Sequence, residues 1–94
     1  MNATVRVRHF LHPEGLREFP RVLAMHRRLA SAFPGFVALR HSPPLPVGGG
    51  AEAEVTIEFE SQRRLMDWRA SSQHAAVAAA YRELWSREPE VTFS

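Results

Sequence analysis

Phe59-Glu60-Ser61-Gln62-Arg63-Arg64-Leu65-Met66-Asp67-Trp68-Arg69-Ala70-Ser71-Ser72-Gln73-His74 joins two different periodicities. Up to Glu60, the residues from Glu52 alternate. Val55, Ile57 and Phe59 fall on one side and Glu54, Thr56, Glu58 and Glu60 on the other, the pattern of a half-buried strand. Ser61 is placed to cap a helix. Beyond it Leu65 and Trp68 take up helical spacing, which breaks near Ser71-Ser72 and resumes through Val77, Tyr81 and Leu84. A strand therefore runs straight into a helical region broken in two, with Trp68, Ser71 and His74 at the break.

Working towards the N-terminus, Pro43-Pro44-Leu45-Pro46-Val47-Gly48-Gly49-Gly50 reads as a loop by composition. Phe36 to Ser42 reads as a strand with Val37, Leu39 and His41 on one face. Pro34-Gly35 ends the helix before it, whose stripe is Leu16, Phe19, Leu23, His26, Ala30 and Phe33. Pro13 suits the start of that helix, and Pro20 falls in its first turns. Thr4 to Leu11 alternates, with Val5, Val7, His9 and Leu11 sharing a face. Towards the C-terminus, Glu88-Pro89 stops the last helix, and Val91 and Phe93 mark a short final strand.

The resulting order, β-α-β-β-α-β, predicts an α+β fold. It is the ferredoxin-like sandwich, an antiparallel four-stranded sheet with helices on one face. Ninety-four residues make one domain, spanning 1–94. The opposite sheet face then carries Thr4, Arg6, Arg8, Phe36, Ala38, Arg40, Glu54, Thr56, Glu58, Glu90 and Thr92. Such a face is either solvated or a homodimer interface. A chain this short gains from pairing with a second copy.

Composition removes several functions. There is no cysteine, hence no disulfide and no thiolate chemistry. All twelve basic residues are arginine, so no lysine can form a Schiff base. They are scattered, ten acids offset them, and the net charge is +2, which argues against nucleic-acid binding. No apolar run approaches the ~18 residues that span a membrane. The start of the chain lacks the apolar segment of a signal peptide, so a cytoplasmic location is the default expectation. There is no phosphate loop, no Rossmann fingerprint and no nucleophilic serine motif.

The candidate chemistry lies between sheet and helices. His9 and His41 close the apolar faces of two parallel strands, and His26 lies in the first helix stripe. His74 stands at the helix break near Trp68, with Tyr81 two turns on. His74, Trp68 and Tyr81 are the candidate catalytic residues; His9, His41, His26 and Met66 are the candidate substrate contacts. A pocket of this kind suits a small aromatic molecule, and a neutral histidine can remove a phenolic proton. Each residue also has a plainer role. Trp68, His26 and Tyr81 can simply be core, His74 can pin the helix break, and His9 and His41 can be bystanders at strand ends. The histidines lack metal-ligand spacing, so no metal is expected.

Val5-Arg6-Val7-Arg8 with Pro13-Glu14-Gly15, Phe33-Pro34-Gly35-Phe36, and Phe59-Glu60-Ser61 with Leu65, Trp68, Ser71 and His74 resemble the antibiotic biosynthesis monooxygenase domain family. The resemblance spans nearly the whole chain. It implies a dimeric α/β barrel closed through the sheet faces. It also implies, for active members, oxidation of polyphenols with neither metal nor flavin. On that basis the expected function is a cofactor-independent monooxygenase of a quinol, anthrone or related polyphenol, with His74 as base and Trp68 against the ring. The alternative is a non-catalytic ligand-binding or stress-responsive protein of the same fold. The chain departs from the anthrone-oxidising pattern at Arg64, where the family has Asn, and at His74, where it has Tyr. It departs from the haem-degrading pattern at Arg8 or His9, where those relatives have Asn, and at Ala78, where they have an axial His.

Overall fold

A computed structural model describes residues 1–94. The elements are β1 (Ala3–Leu11), α1 (Pro13–Ser31), β2 (Phe36–His41), β3 (Leu45–Val47), β4 (Gly50–Phe59), α2 (Gln62–Arg69), α3 (Ser72–Arg82) and β5 (Glu90–Phe93). All strand pairs are antiparallel, in the order β2-β4-β1-β5, with β3 also paired to β4. The fold is ferredoxin-like α+β, with the helices on one sheet face. No helix is long and apolar enough to cross a membrane.

β4 is the central strand that its alternation predicts. Every second residue, from Ala51 to Phe59, is buried. Its inward side chains meet those of β1 in register, Val5 opposite Ile57 and Val7 opposite Val55. The helices cover them with Phe19, Val22, Leu65, Trp68 and Val77, each almost fully buried. Burying a side chain of this size contributes about 1.5–3 kcal/mol, so this layer is the main source of stability.

Three features differ from the sequence expectation. The sheet has five strands, because part of the Pro43–Gly50 segment pairs as β3 through a two-residue turn at Gly48-Gly49. Gly48 has φ of +59°, the left-handed conformation that the first position of such a turn requires. α1 begins at Pro13 as expected, but Pro20 is its eighth residue, just beyond the first two turns. The register of β2 shifts between Phe36 and Ala38. Phe36 consequently packs edge-on against Phe59 on the core side, at 6.0 Å, while Val37 is 45% exposed.

Candidate functional site

Ser71 organises the break between α2 and α3. Its hydroxyl accepts from the His74 backbone N–H at 3.1 Å and donates to the Trp68 carbonyl at 2.6 Å. The same oxygen thus caps the new helix and ties it to the end of the old one. Trp68 is left on the inward face of α2 and His74 in the first turn of α3. The two rings meet edge to face at 5.5 Å.

Trp68 is the hub of an aromatic cluster. It lies parallel to His26 at 6.0 Å and near-parallel to Phe59 at 6.3 Å, with Phe33 edge-on at 5.4 Å. Beside it is a cavity of about 120 Å³. Its floor is Val5, Val7, Val55 and Ile57 of the sheet, and its walls include Trp68, His26, Tyr81 and His9. Arg69, His74, Trp85 and Val91 also line it. The volume is close to that of an engineered ~150 Å³ cavity that holds benzene, so it fits one aromatic ring.

Hydrogen bonds fix the states of the buried groups. The indole N–H of Trp85 donates to His9 Nδ1 at 3.0 Å. An indole can only donate, so Nδ1 is unprotonated and His9 is the neutral tautomer with its proton on Nε2. That Nε2 makes no hydrogen bond within the chain, yet no buried polar atom lacks a partner, so it keeps accessible surface, and His9 lines the cavity. His9 also stacks on Tyr81 at 4.3 Å. The Tyr81 hydroxyl bonds His26 Nδ1 at 2.8 Å.

Burial sets the titration of the same groups. Desolvation lowers His9 to about 4. It lowers His26 to about 3, helped by repulsion from His74, His9 and Arg27. Desolvation raises Tyr81 well above its ordinary value, so its hydroxyl keeps its proton. His74 is half-buried and lowered more modestly, by desolvation and then by the Arg69 charge, with the Arg69 backbone carbonyl acting in the opposite sense. All three rings are therefore neutral at physiological pH. His74 is the one whose ring makes no hydrogen bond to another side chain.

The cavity thus gathers Trp68, His74, Tyr81, His9 and His26. It does not gather His41 or Met66. His41 shares a strand direction with His9, but β4 lies between β2 and β1. Two strand spacings, about 10 Å, separate them. His41 is exposed, with Nδ1 3.3 Å from the Ser42 carbonyl oxygen. Met66 is 39% exposed, because Leu65 and Trp68 take the inward face of the short α2. It borders an outer groove with Met1 to Thr4 and Phe93. Trp85 and Arg69 escaped the sequence reading. Trp85 follows the end of α3, outside any helical stripe, and an isolated bridge to Leu11 holds it in place. No three metal-ligating side chains converge.

Solved structures share this architecture. Rv0793 from Mycobacterium tuberculosis superposes with a TM-score of 0.80 at 19% identity, over 100% of this chain and 93% of that one. A mutant of SnoaB, a cofactor-independent oxygenase from Streptomyces nogalater, gives 0.78 at 21% identity, over 99% and 90%. A Caulobacter crescentus protein provisionally assigned as an antibiotic biosynthesis monooxygenase gives 0.81 at 17%, over 99% and 87%. The fold is that of the antibiotic biosynthesis monooxygenases. At these identities the likeness carries the fold and not the reaction. No protein-family model matches the chain, and no curated protein matches it by sequence.

Proposed function

We propose that this chain is a cofactor-independent monooxygenase acting on a single-ring phenol or quinol. The observation that carries the proposal is His74, kept neutral by burial and by Arg69, edge-on to Trp68 at the cavity. The ring of the substrate lies against Trp68, and His74 takes its phenolic proton. The resulting anion transfers an electron to O₂, the two radicals recombine as a peroxide anion at a ring C–H carbon, and His74 returns its proton to give the hydroperoxide. Loss of water leaves one oxygen atom on the ring as a quinone, and the second departs in the water. His9 is a poorer base, since its one free lone pair, on Nδ1, already accepts from Trp85, and His26 is poorer because burial and the neighbouring His74, His9 and Arg27 oppose its charging. The fold likeness to SnoaB supports the chemistry. The cavity volume favours a quinol over the three fused rings of an anthrone. The working unit is a homodimer through the outer sheet face, in keeping with a dimeric ferredoxin-like protein from Jannaschia that superposes at a TM-score of 0.79.

Oxygen uptake with a substituted hydroquinone tests the assignment. General-base catalysis contributes about 10²–10⁴-fold, so His74→Ala is expected to cut uptake by at least a hundredfold. Full uptake by His74→Ala would remove His74 from the mechanism. The same small cavity, with two histidines locked neutral, favours a second reading, a ligand-holding domain without turnover. That protein would be thermally stabilised by the quinol while consuming no oxygen.

A further inference from the structure

No acid lines the cavity, while several of its groups can donate. Arg69 is its only permanently charged residue. The guanidinium is half-buried and lies 5.1 Å from the ring centroid of Phe93. It takes part in none of the chain's ion pairs. Removing a cation from water without a counter-charge is costly, and a bound anion relieves that cost. At the other end, His9 presents Nε2–H with no protein acceptor. Register separates the two donors. Phe93, under Arg69, is level with Val5, and His9 stands two inward-facing positions further along β1. A cavity with a donor at each end, room for one ring between and no acceptor acid selects a ligand with oxygens at both ends, one of them charged.

We propose that the cavity binds a single-ring aromatic acid, with its carboxylate held by Arg69 and its opposite oxygen accepting from His9 Nε2–H. The proposal rests on the cavity being the ligand site of the preceding reading, and it names the substrate class; the hydroxyl that His74 deprotonates there is one beside the carboxylate, since His74 neighbours Arg69. Trp85 is then a positioning residue. Its indole N–H holds the His9 tautomer whose Nε2 donates. Without it His9 can place its proton on Nδ1 and turn an acceptor to the ligand.

The test is calorimetric titration, under nitrogen at neutral pH, with 4-hydroxybenzoate and with its neutral isostere 4-hydroxybenzamide. A hydrogen bond to a charged group is worth about tenfold or more in affinity, so wild type is expected to bind the acid at least tenfold more tightly. Arg69→Met keeps an unbranched apolar stem and removes the charge and its donors, so it should weaken the acid far more than the amide and erase that preference. Trp85→Phe should weaken both ligands together and retain the preference. Equal affinities in wild type, a preference surviving in Arg69→Met, or no binding of the acid at millimolar concentration would each overturn the proposal. Because oxygen is absent, the result is independent of turnover. Binding with the stated preference but no oxygen uptake in air would end the oxygenase reading and leave this one standing.

Discussion

His9 shows how one side chain couples site and stability. In an unfolded chain it titrates near 6.5, whereas burial in the fold lowers it to about 4. Between those values the unfolded state binds a proton that the folded state refuses, so stability falls as the pH falls. The loss begins near pH 6.5 and is nearly complete below about 4, where it amounts to about 3 kcal/mol for this residue. His26, lowered to about 3, adds a further loss that also begins near pH 6.5 but runs on to about pH 3, and its repulsion from His9 couples the two. Thermal melting is therefore expected to be flat from pH 7 to 8 and to decline steeply towards pH 4. His9→Gln can still accept from Trp85 through its amide oxygen but cannot titrate, so its melting temperature should depend less on pH. An identical slope in wild type and His9→Gln would show that His9 is not buried neutral.

Among the elements, the α2–α3 break was the most legible in sequence, because its cause is local. Ser71 ends one helix and caps the next within six residues of contact, Trp68 to His74. Ser71→Ala removes both bonds and is expected to destabilise the chain by about 1 kcal/mol, read from the denaturation midpoint. It should also release His74 from Trp68 and lower oxygen uptake more than the stability loss explains; uptake that matches wild type would show that the break does not position His74. β4 was legible for a similar reason, since it is covered on one face along its whole length and its alternation is unbroken. What the sequence hid was non-local. The register shift in β2 shows only in its pairing with β4, and it moves Phe36 off the outer face on which strict alternation puts it. β3 is only Leu45-Pro46-Val47 and wholly exposed, too short for a hydrophobic pattern to mark it, and only hydrogen bonding to β4 makes it a strand. Strand order put His41 two strands from His9, and of the two histidines read as strand-end residues only His41 ends its strand; His9 is buried within β1, which pairs on to Leu11. Trp85 belongs to the cavity through a bond across 76 residues, which no local pattern encodes.

At the scale of the whole molecule, the outer sheet face decides whether the barrel closes. Its charges already pair within one chain: Arg8 with Glu54 at 3.7 Å and Glu90 at 3.5 Å, Arg40 with Glu58 at 3.3 Å, and Arg6 with Glu54 at 4.0 Å. These exposed pairs contribute little stability each, but they make the face neutral overall, so two copies can approach without repulsion. A stable interface takes about 800 Å² from each partner, roughly a seventh of this chain's 5571 Å² surface. Most of the outer face must then be engaged, including its centre, where Thr56 and Thr92 flank Arg6 in register. With Phe36 turned to the core side, little apolar area remains on that face, and association should weaken as salt screens its charges. Thr56→Arg adds an unpaired cation to that centre in both copies, and two-fold symmetry multiplies the defect. Thr56 lies on the solvent side of β4, away from the core, so the variant should fold with unchanged circular dichroism yet sediment as a monomer where wild type sediments as a dimer. A Thr56→Arg protein that remains dimeric would move the interface away from the sheet face. Calorimetry on the monomer then separates site from assembly: the cavity residues all come from one chain, so ligand affinity should survive dissociation unless the partner closes the mouth beside Val91.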